Sequence, residues 1–159
     1  MAIGQDEFRA ALGRFASGVT VVTTRDAAGR FHGITVSAFC SVSLEPPLIL
    51  VCIEKITGSH RAIEQSGIFI VNILDRSQQA LSEHFALQLP EKFADIRYHS
   101  GMEGIPVLDD ALVNLECRVT KTYDGGDHSI YIAEVENAEI KDGSPLVYFH
   151  GDYRTLVDF

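Results

Sequence analysis

The stretch GITVSAFCSVSLEPPLILVCIEKITGS (33–59) gathers Thr35, Ser37, Ser41 and Ser43 between two apolar runs and closes on Lys55, Thr57 and Ser59 ahead of a helix-like segment. Hydroxyls, backbone N–H groups and one lysine at a helix N-terminus suit a phosphomonoester, because oriented amides and a point charge together hold phosphate oxygens. The same residues also suit an ordinary loop whose serines make turns and caps. Spacing excludes other chemistry. The six histidines (His32, His60, His84, His99, His128 and His150) form no HxxxH or HExxH, and no cysteine stands near enough to one for a zinc knuckle, so no metal is expected. GxSxG, GxGxxG and GxxxxGK[ST] are all absent, which removes a marked serine nucleophile and the Rossmann and Walker routes to a nucleotide.

Positioning such a loop takes strands on both sides. VTVVTT (19–24) and FHGITV (31–36) flank the polar turn RDAAGR and read as a hairpin. LILVCI (48–53), fixed at its start by Pro46 and Pro47, and GIFIVNIL (67–74) are continuous apolar runs, each expected to be buried on both faces. Between them TGSHRAIEQS has cap chemistry at Thr57 or Ser59 and a helical middle. A helix also opens the chain, with Phe8, Ala11, Leu12 and Phe15 in step, Asp6 as cap and Gly18 as stop. A third covers SQQALSEHFA, with Leu81 and Phe85 on one side, and residues 86–110 read mostly as loop. LVNLECRVTKTY alternates as a half-buried strand. It turns at DGGD (124–127) into HSIYIAEVENAEI, whose alternation slips near Glu134 and Val135 as a bulge would make it do. LVYFH (146–150) adds a final strand. About seven strands and two or three short helices, not regularly alternating, predict a mainly β, closed or partly closed antiparallel barrel in a single domain, 1–159.

Composition narrows the partners. An excess of 22 Asp and Glu over 13 Lys and Arg gives net charge −9, which opposes non-specific binding to nucleic acid or an anionic membrane. An anionic ligand must therefore be held locally. Cys40, Cys52 and Cys117 include no CxxC, Cys52 lies in an apolar run, and the set reads as reduced, buried and cytoplasmic. The start MAIGQDEF has acids where a signal peptide needs a basic region, and no apolar run approaches a membrane span.

The order of Gly33, Thr35, Ser37, Ser41, Ser43, Pro46, Pro47, Leu48 and Cys52 resembles the short-chain flavin reductase family, the FMN-binding split β-barrels. So do VNIL (71–74), HFA (84–86), KF (92–93), GIPVLDDALVNLEC (104–117), GDHSIYIAEV (126–135) and PLVYFHGDYRTL (145–156), in the family's order. The resemblance runs from about Phe8 to Leu156 and implies an antiparallel, Greek-key-like split barrel with short flanking helices. It implies a homodimer that binds FMN or FAD, takes hydride from NADH or NADPH, and supplies reduced flavin to a partner flavin-dependent monooxygenase. By position, Thr35, Val36, Ser37 and Ala38 would line the isoalloxazine through backbone groups, and Cys52, Ile53, Glu54 and Lys55 would flank it. Thr57 and Ser59, with Lys55, would meet the phosphate, while Phe85 and Ala86 would lie near the ring or ribityl chain. His128 would face the nicotinamide as the catalytic residue, with Tyr153 and Arg154 at the mouth. Simpler roles exist for each. His128 could be a polar hairpin residue, Lys55 a solvated strand end, Cys52 core packing, and Arg154 a partner for a surface acid. Ala38 where Ser is frequent, Ile56 and Gly58 amid hydroxyls, and Ala133 where Gly is common leave FMN against FAD open. A non-catalytic flavin- or haem-binding module on the same barrel is the alternative, as is a bound-flavin protein reducing a metal acceptor.

Overall fold

The computed structural model describes residues 1–157. The strands are β1 (Ser17–Gly18), β2 (Thr20–Arg25), β3 (Phe31–Val36), β4 (Phe39–Ser43), β5 (Leu48–Glu54) and β6 (Ile68–Ile73). They continue with β7 (Tyr98–Ser100), β8 (Pro106–Leu108), β9 (Val113–Gly125), β10 (His128–Ile140), β11 (Val147–Phe149) and β12 (Asp152–Arg154). Three α-helices accompany them, α1 (Gln5–Leu12), α2 (Gly58–Ser66) and α3 (Gln79–Ala86).

Seven strands form one antiparallel sheet in the order β3-β2-β6-β9-β10-β5-β4. Val36 on one edge strand shares a buried core with Ile49, Val51 and Ile53 at the other side of the sheet, together with Val22, Phe69, Val71, Cys117 and Tyr131 between them. A sheet whose two ends share one core is curled on itself. β3 and β4 are its edges, joined only by Ser37 and Ala38 and unpaired with each other, so the barrel is split there, beside the motif-bearing loop. The expected mainly β split barrel with short flanking helices is thus observed.

β6 is buried on both faces as expected, and the reason lies in residues 96–112. Phe69 and Val71 point into the barrel, while Ile68 and Ile70 pack outside against Ile105 and Val107. Those residues belong to a short hairpin of β7 and β8, so the 86–110 region is more ordered than a loop. β5 departs from expectation. Ile49, Val51 and Ile53 are buried, but Leu48, Leu50, Cys52 and Glu54 are half-exposed, because the described residues do not fully cover the outer face. α1 is shorter than its spacing predicts, with Gly4 rather than Asp6 at its N-cap and Gly13 at its end, and none of its residues is buried. The terminal strand is a pair, β11 with β12, and β1 joins it. The bulges in β10 fall between Ile132 and Ala133 and between Val135 and Asn137, close to the expected slip. Of the cysteines only Cys117 is buried; Cys40 is exposed and Cys52 partly so, since both face outward near the split edge.

One polar pair is inside. Asn72 donates to the Val21 carbonyl (2.9 Å), and its Oδ1 accepts from the Leu108 amide (2.9 Å) and from Asn114 Nδ2 (2.8 Å). These bonds pin β8 to the outer face of the sheet. Asn114, on the polar side of its strand by alternation, is therefore buried.

Candidate functional site

β5 delivers its last residues to the start of α2. The Lys55 amide donates to the Asp127 carbonyl (2.9 Å), and the Thr57 hydroxyl donates to the Glu54 carbonyl (2.8 Å) while accepting from the His60 amide (3.2 Å). Thr57 is thus the helix cap, which occupies its hydroxyl. Ser59 is 95% buried by the same turn, yet its hydroxyl borders a cleft and has no hydrogen-bond partner among the described residues. The β9–β10 tip lies alongside, with His128 paired to Glu54, Ser129 to Ile53 and Ile130 to Cys52. His128 Nδ1 donates to Asp127 Oδ1 (2.7 Å), an ion-assisted bond that holds the Asp127 carboxyl below the usual carboxylate range and leaves Nε2 without a partner among the described residues. Lys55 Nζ is engaged by the Asp124 carboxylate and by the Gly126 carbonyl (2.7 Å).

The β3–β4 link closes the other side. Cys52 donates its amide to the Ala38 carbonyl (3.1 Å), which sets Ser37 and Ala38 against β5. Both are exposed, and neither amide N–H finds a backbone acceptor among the described residues. Burial pushes the Cys52 thiol up, with the neighbouring Cys40 adding to it, so Cys52 is a packing thiol and not a thiolate. Behind the link, the Thr35 hydroxyl donates to the Ser82 carbonyl (2.6 Å), which docks β3 on α3. Phe85 is fully buried there, against Gly33: a Cβ at that position would stand 2.5 Å from the Phe85 ring, so only glycine fits. Ala86 is exposed at the end of α3.

The structure therefore joins residues 35–38, 52–55, 57, 59 and 128 around the split edge. It sets Tyr153 and Arg154 apart: they line a smaller cleft of about 300 Å³ with Arg76 and Gln79. Tyr153 still reaches the first group through its hydroxyl, 2.8 Å from Ser82 Oγ, while Arg154 pairs with Asp152 (2.6 Å).

Sequence reasoning assigned no role to Lys92, His32, Arg30 or Arg61, which with Thr57, Gly58 and Ser59 line a cleft of about 600 Å³. Lys92 donates to the carbonyls of Gly33 (2.9 Å) and Phe85 (3.0 Å) and meets no carboxylate among the described residues, and burial alone pushes its pKa down. One ammonium donor remains for a ligand. The KF pair was the only signal pointing to it. His32 packs over Gly58 and bonds Asp26 (3.0 Å), and that bond, with help from Arg30, holds the Asp26 carboxyl far below its ordinary range. Among the described residues no cluster of three metal-ligating side chains exists, and no helix is long and apolar enough to cross a membrane.

Near the split edge the structure thus holds a cation with one donor left over, a hydroxyl and two amides without a protein acceptor among the described residues. The flavin reductase like domain matches residues 12–157. The chain belongs to that family. Flavin reductases similar to it include the reductase subunit of a flavin-dependent monooxygenase from Rhodococcus jostii, 40% identical over 153 residues, covering 96% of this chain and 78% of that protein. An FMN reductase (NADH) from Agrobacterium fabrum is 37% identical over 153 residues, covering 94% of this chain and 87% of that protein. Among solved structures, the NADH:FAD oxidoreductase of Streptomyces globisporus, in complex with NAD and FAD fragments, superposes with TM-score 0.91 at 32% identity. The match covers 96% of this chain and 93% of that one. Like these flavin reductases, the protein is an enzyme.

Proposed function

We propose that the protein passes hydride from NADH to a diffusible flavin and supplies the reduced flavin to a partner monooxygenase, acting as a homodimer. The observation that carries this reading is the set of donors without protein acceptors, namely the Ser37 and Ala38 amides, the Ser59 hydroxyl and the third donor of Lys92. They match a flavin's carbonyl edge at one end and its phosphate at the other. When bound, the flavin supplies N5, which accepts hydride from nicotinamide C4. The chain's part is to orient. Ser37 and Ala38 hold the ring edge and favour the added negative charge of its reduced form. Cys52 to Glu54 support it from β5, and Phe85 fixes β3 beneath it without touching solvent. Ser59 and Lys92 hold the phosphate. Lys55 steadies the hairpin tip, so that His128 Nε2 meets the nicotinamide side. No thiol or general base is needed.

Homodimer formation is supported by apolar groups the chain leaves uncovered. Phe8, Leu12 and Phe15 are each more than half exposed in and after α1, and in and just after the edge strand β4 Val42 is 47% and Leu44 97% exposed.

An anaerobic dialysis cell tests the release of flavin. Enzyme, NADH and catalytic flavin occupy one chamber and cytochrome c the other, behind a membrane that passes only small molecules. Reduction of cytochrome c is expected. If it stays oxidised while the enzyme's flavin is fully reduced, electrons are not leaving on free flavin and a bound-flavin reductase is the better description. If NADH is not consumed at all, the protein is a binding module.

A further inference from the structure

One face of α2 borders the large cleft, with Gly58, Arg61, Ala62 and Gln65 at spacing i, i+3, i+4, i+7. That face runs roughly 10 Å from the first turn to Gln65 at 1.5 Å per residue. Residues 35–38 and 52–55, which would hold the ring, do not border the cleft, whereas Ser59 and Lys92 do. The cleft therefore begins at the phosphate end and leads away from the ring. Its far part lies between α2 and the β2–β3 turn, with Arg61 and Arg30 on its walls.

The charge there is uncompensated. Asp26 is the only acid of the lining, and His32 and Arg30 (2.9 Å) already answer it. Arg61 is exposed and meets no carboxylate among the described residues. In a chain of net charge −9 this is a local reversal of sign. A lone phosphate does not need it, nor does it need about 600 Å³, a volume in the range of whole small-molecule sites. FMN ends at its one phosphate, whereas a second phosphate and a nucleoside would fill the remaining length and meet the guanidinium groups.

We propose that this cleft takes the adenosine monophosphate half of FAD, which makes FAD the preferred flavin over FMN. The proposal rests on the placement of the flavin phosphate at Ser59 and Lys92. NADH carries the same adenosine diphosphate chemistry, so the test must separate the two.

Fluorescence titration of the purified protein with FMN, FAD and NAD⁺ gives their dissociation constants, and AMP serves as competitor. FAD is expected to bind about tenfold tighter or more, as one or two charge-assisted hydrogen bonds provide. AMP, which matches only the half proposed for the cleft, should displace FAD at concentrations that leave FMN bound. Arg61→Ala, at an exposed position where folding is undisturbed, should bring the two constants to within about twofold. Equal constants in the wild type overturn the proposal, as does a preference that survives in both Arg61→Ala and Arg30→Ala. If Arg61→Ala weakens NAD⁺ binding and leaves the FAD constant unchanged, the cleft belongs to the hydride donor and the proposal is overturned. Failure of both flavins to bind is a different result, and it overturns the flavin site itself.

Discussion

Lys55 and Lys92 both lie near the candidate site, and their partners separate their roles. Lys55 is answered by Asp124, whose carboxyl it holds below the ordinary range, and Lys92 by carbonyl oxygens alone. Lys92→Met is therefore expected to weaken FMN binding by about 1.5–3 kcal/mol, the range for a hydrogen bond to a charged group, with riboflavin binding little changed. Lys55→Met should raise the KM for NADH instead, by loosening the tip that carries His128. Calorimetric titration and steady-state kinetics read both, and a larger flavin loss in Lys55→Met would return the phosphate to Lys55. Asn72 gives a second contrast. Asn72→Ala strands the Leu108 amide and leaves Asn114 Nδ2 with only the Leu108 carbonyl (3.2 Å), at about 1–3 kcal/mol for the amide left unpaired, measurable by urea denaturation. Neither residue was marked in the sequence. Alternation puts Asn114 on the polar side of β9, and only the packing of residues 105–108 on that side makes it interior.

At the scale of elements, the β7–β8 hairpin is tied to β10 by a titratable clasp. His99 Nδ1 stands 2.9 Å from Asp109 and Nε2 3.6 Å from Glu139, and the Asp109 bond first, then the Glu139 charge, raise the His99 pKa. A raised folded-state value means that the clasp stabilises fully below the unfolded value near 6.5 and is lost as the pH rises through the folded value. The side chain is 47% exposed, so solvent screening keeps the contribution under about 1 kcal/mol. His99→Ala should lower Tm at pH 5.5–6 and leave it unchanged near pH 9; a deficit independent of pH would make His99 a packing residue only. Such a link is not legible in sequence, because His99, Asp109 and Glu139 carry no spacing signal. What was legible were elements whose own periodicity decides them. The β2–β3 and β9–β10 hairpins, the Thr57 cap and the β10 bulges all depend on local pattern. β5 misled because a continuous apolar run does not reveal which of its faces the chain covers.

For the whole molecule, association follows from the uncovered apolar groups. Light scattering should give about twice the 17.5 kDa chain mass, and Phe8→Asp combined with Leu12→Asp should return the monomer with its secondary structure intact. A monomeric wild type at micromolar concentration would show that these groups serve something else. The family was legible from motif order, whereas the cleft beside α2 was not. Its cations come from three separate segments, at Arg30, Arg61 and Lys92, and only the fold brings them together.

The half-buried ammonium of Lys92 also makes ligand capture a proton-coupled event. In the free protein burial lowers the pKa of the ammonium, and an arriving phosphate raises it again, so binding at a pH above the lowered value draws a proton from the buffer. Titrations around pH 9 in two buffers of different ionisation enthalpy should thus give different apparent heats, converging at pH 7 and in Lys92→Met. Identical heats at both pH values would mean that Lys92 keeps its proton throughout. If the heats do diverge, a cell that turns alkaline weakens the enzyme's hold on its flavin and releases the carrier sooner.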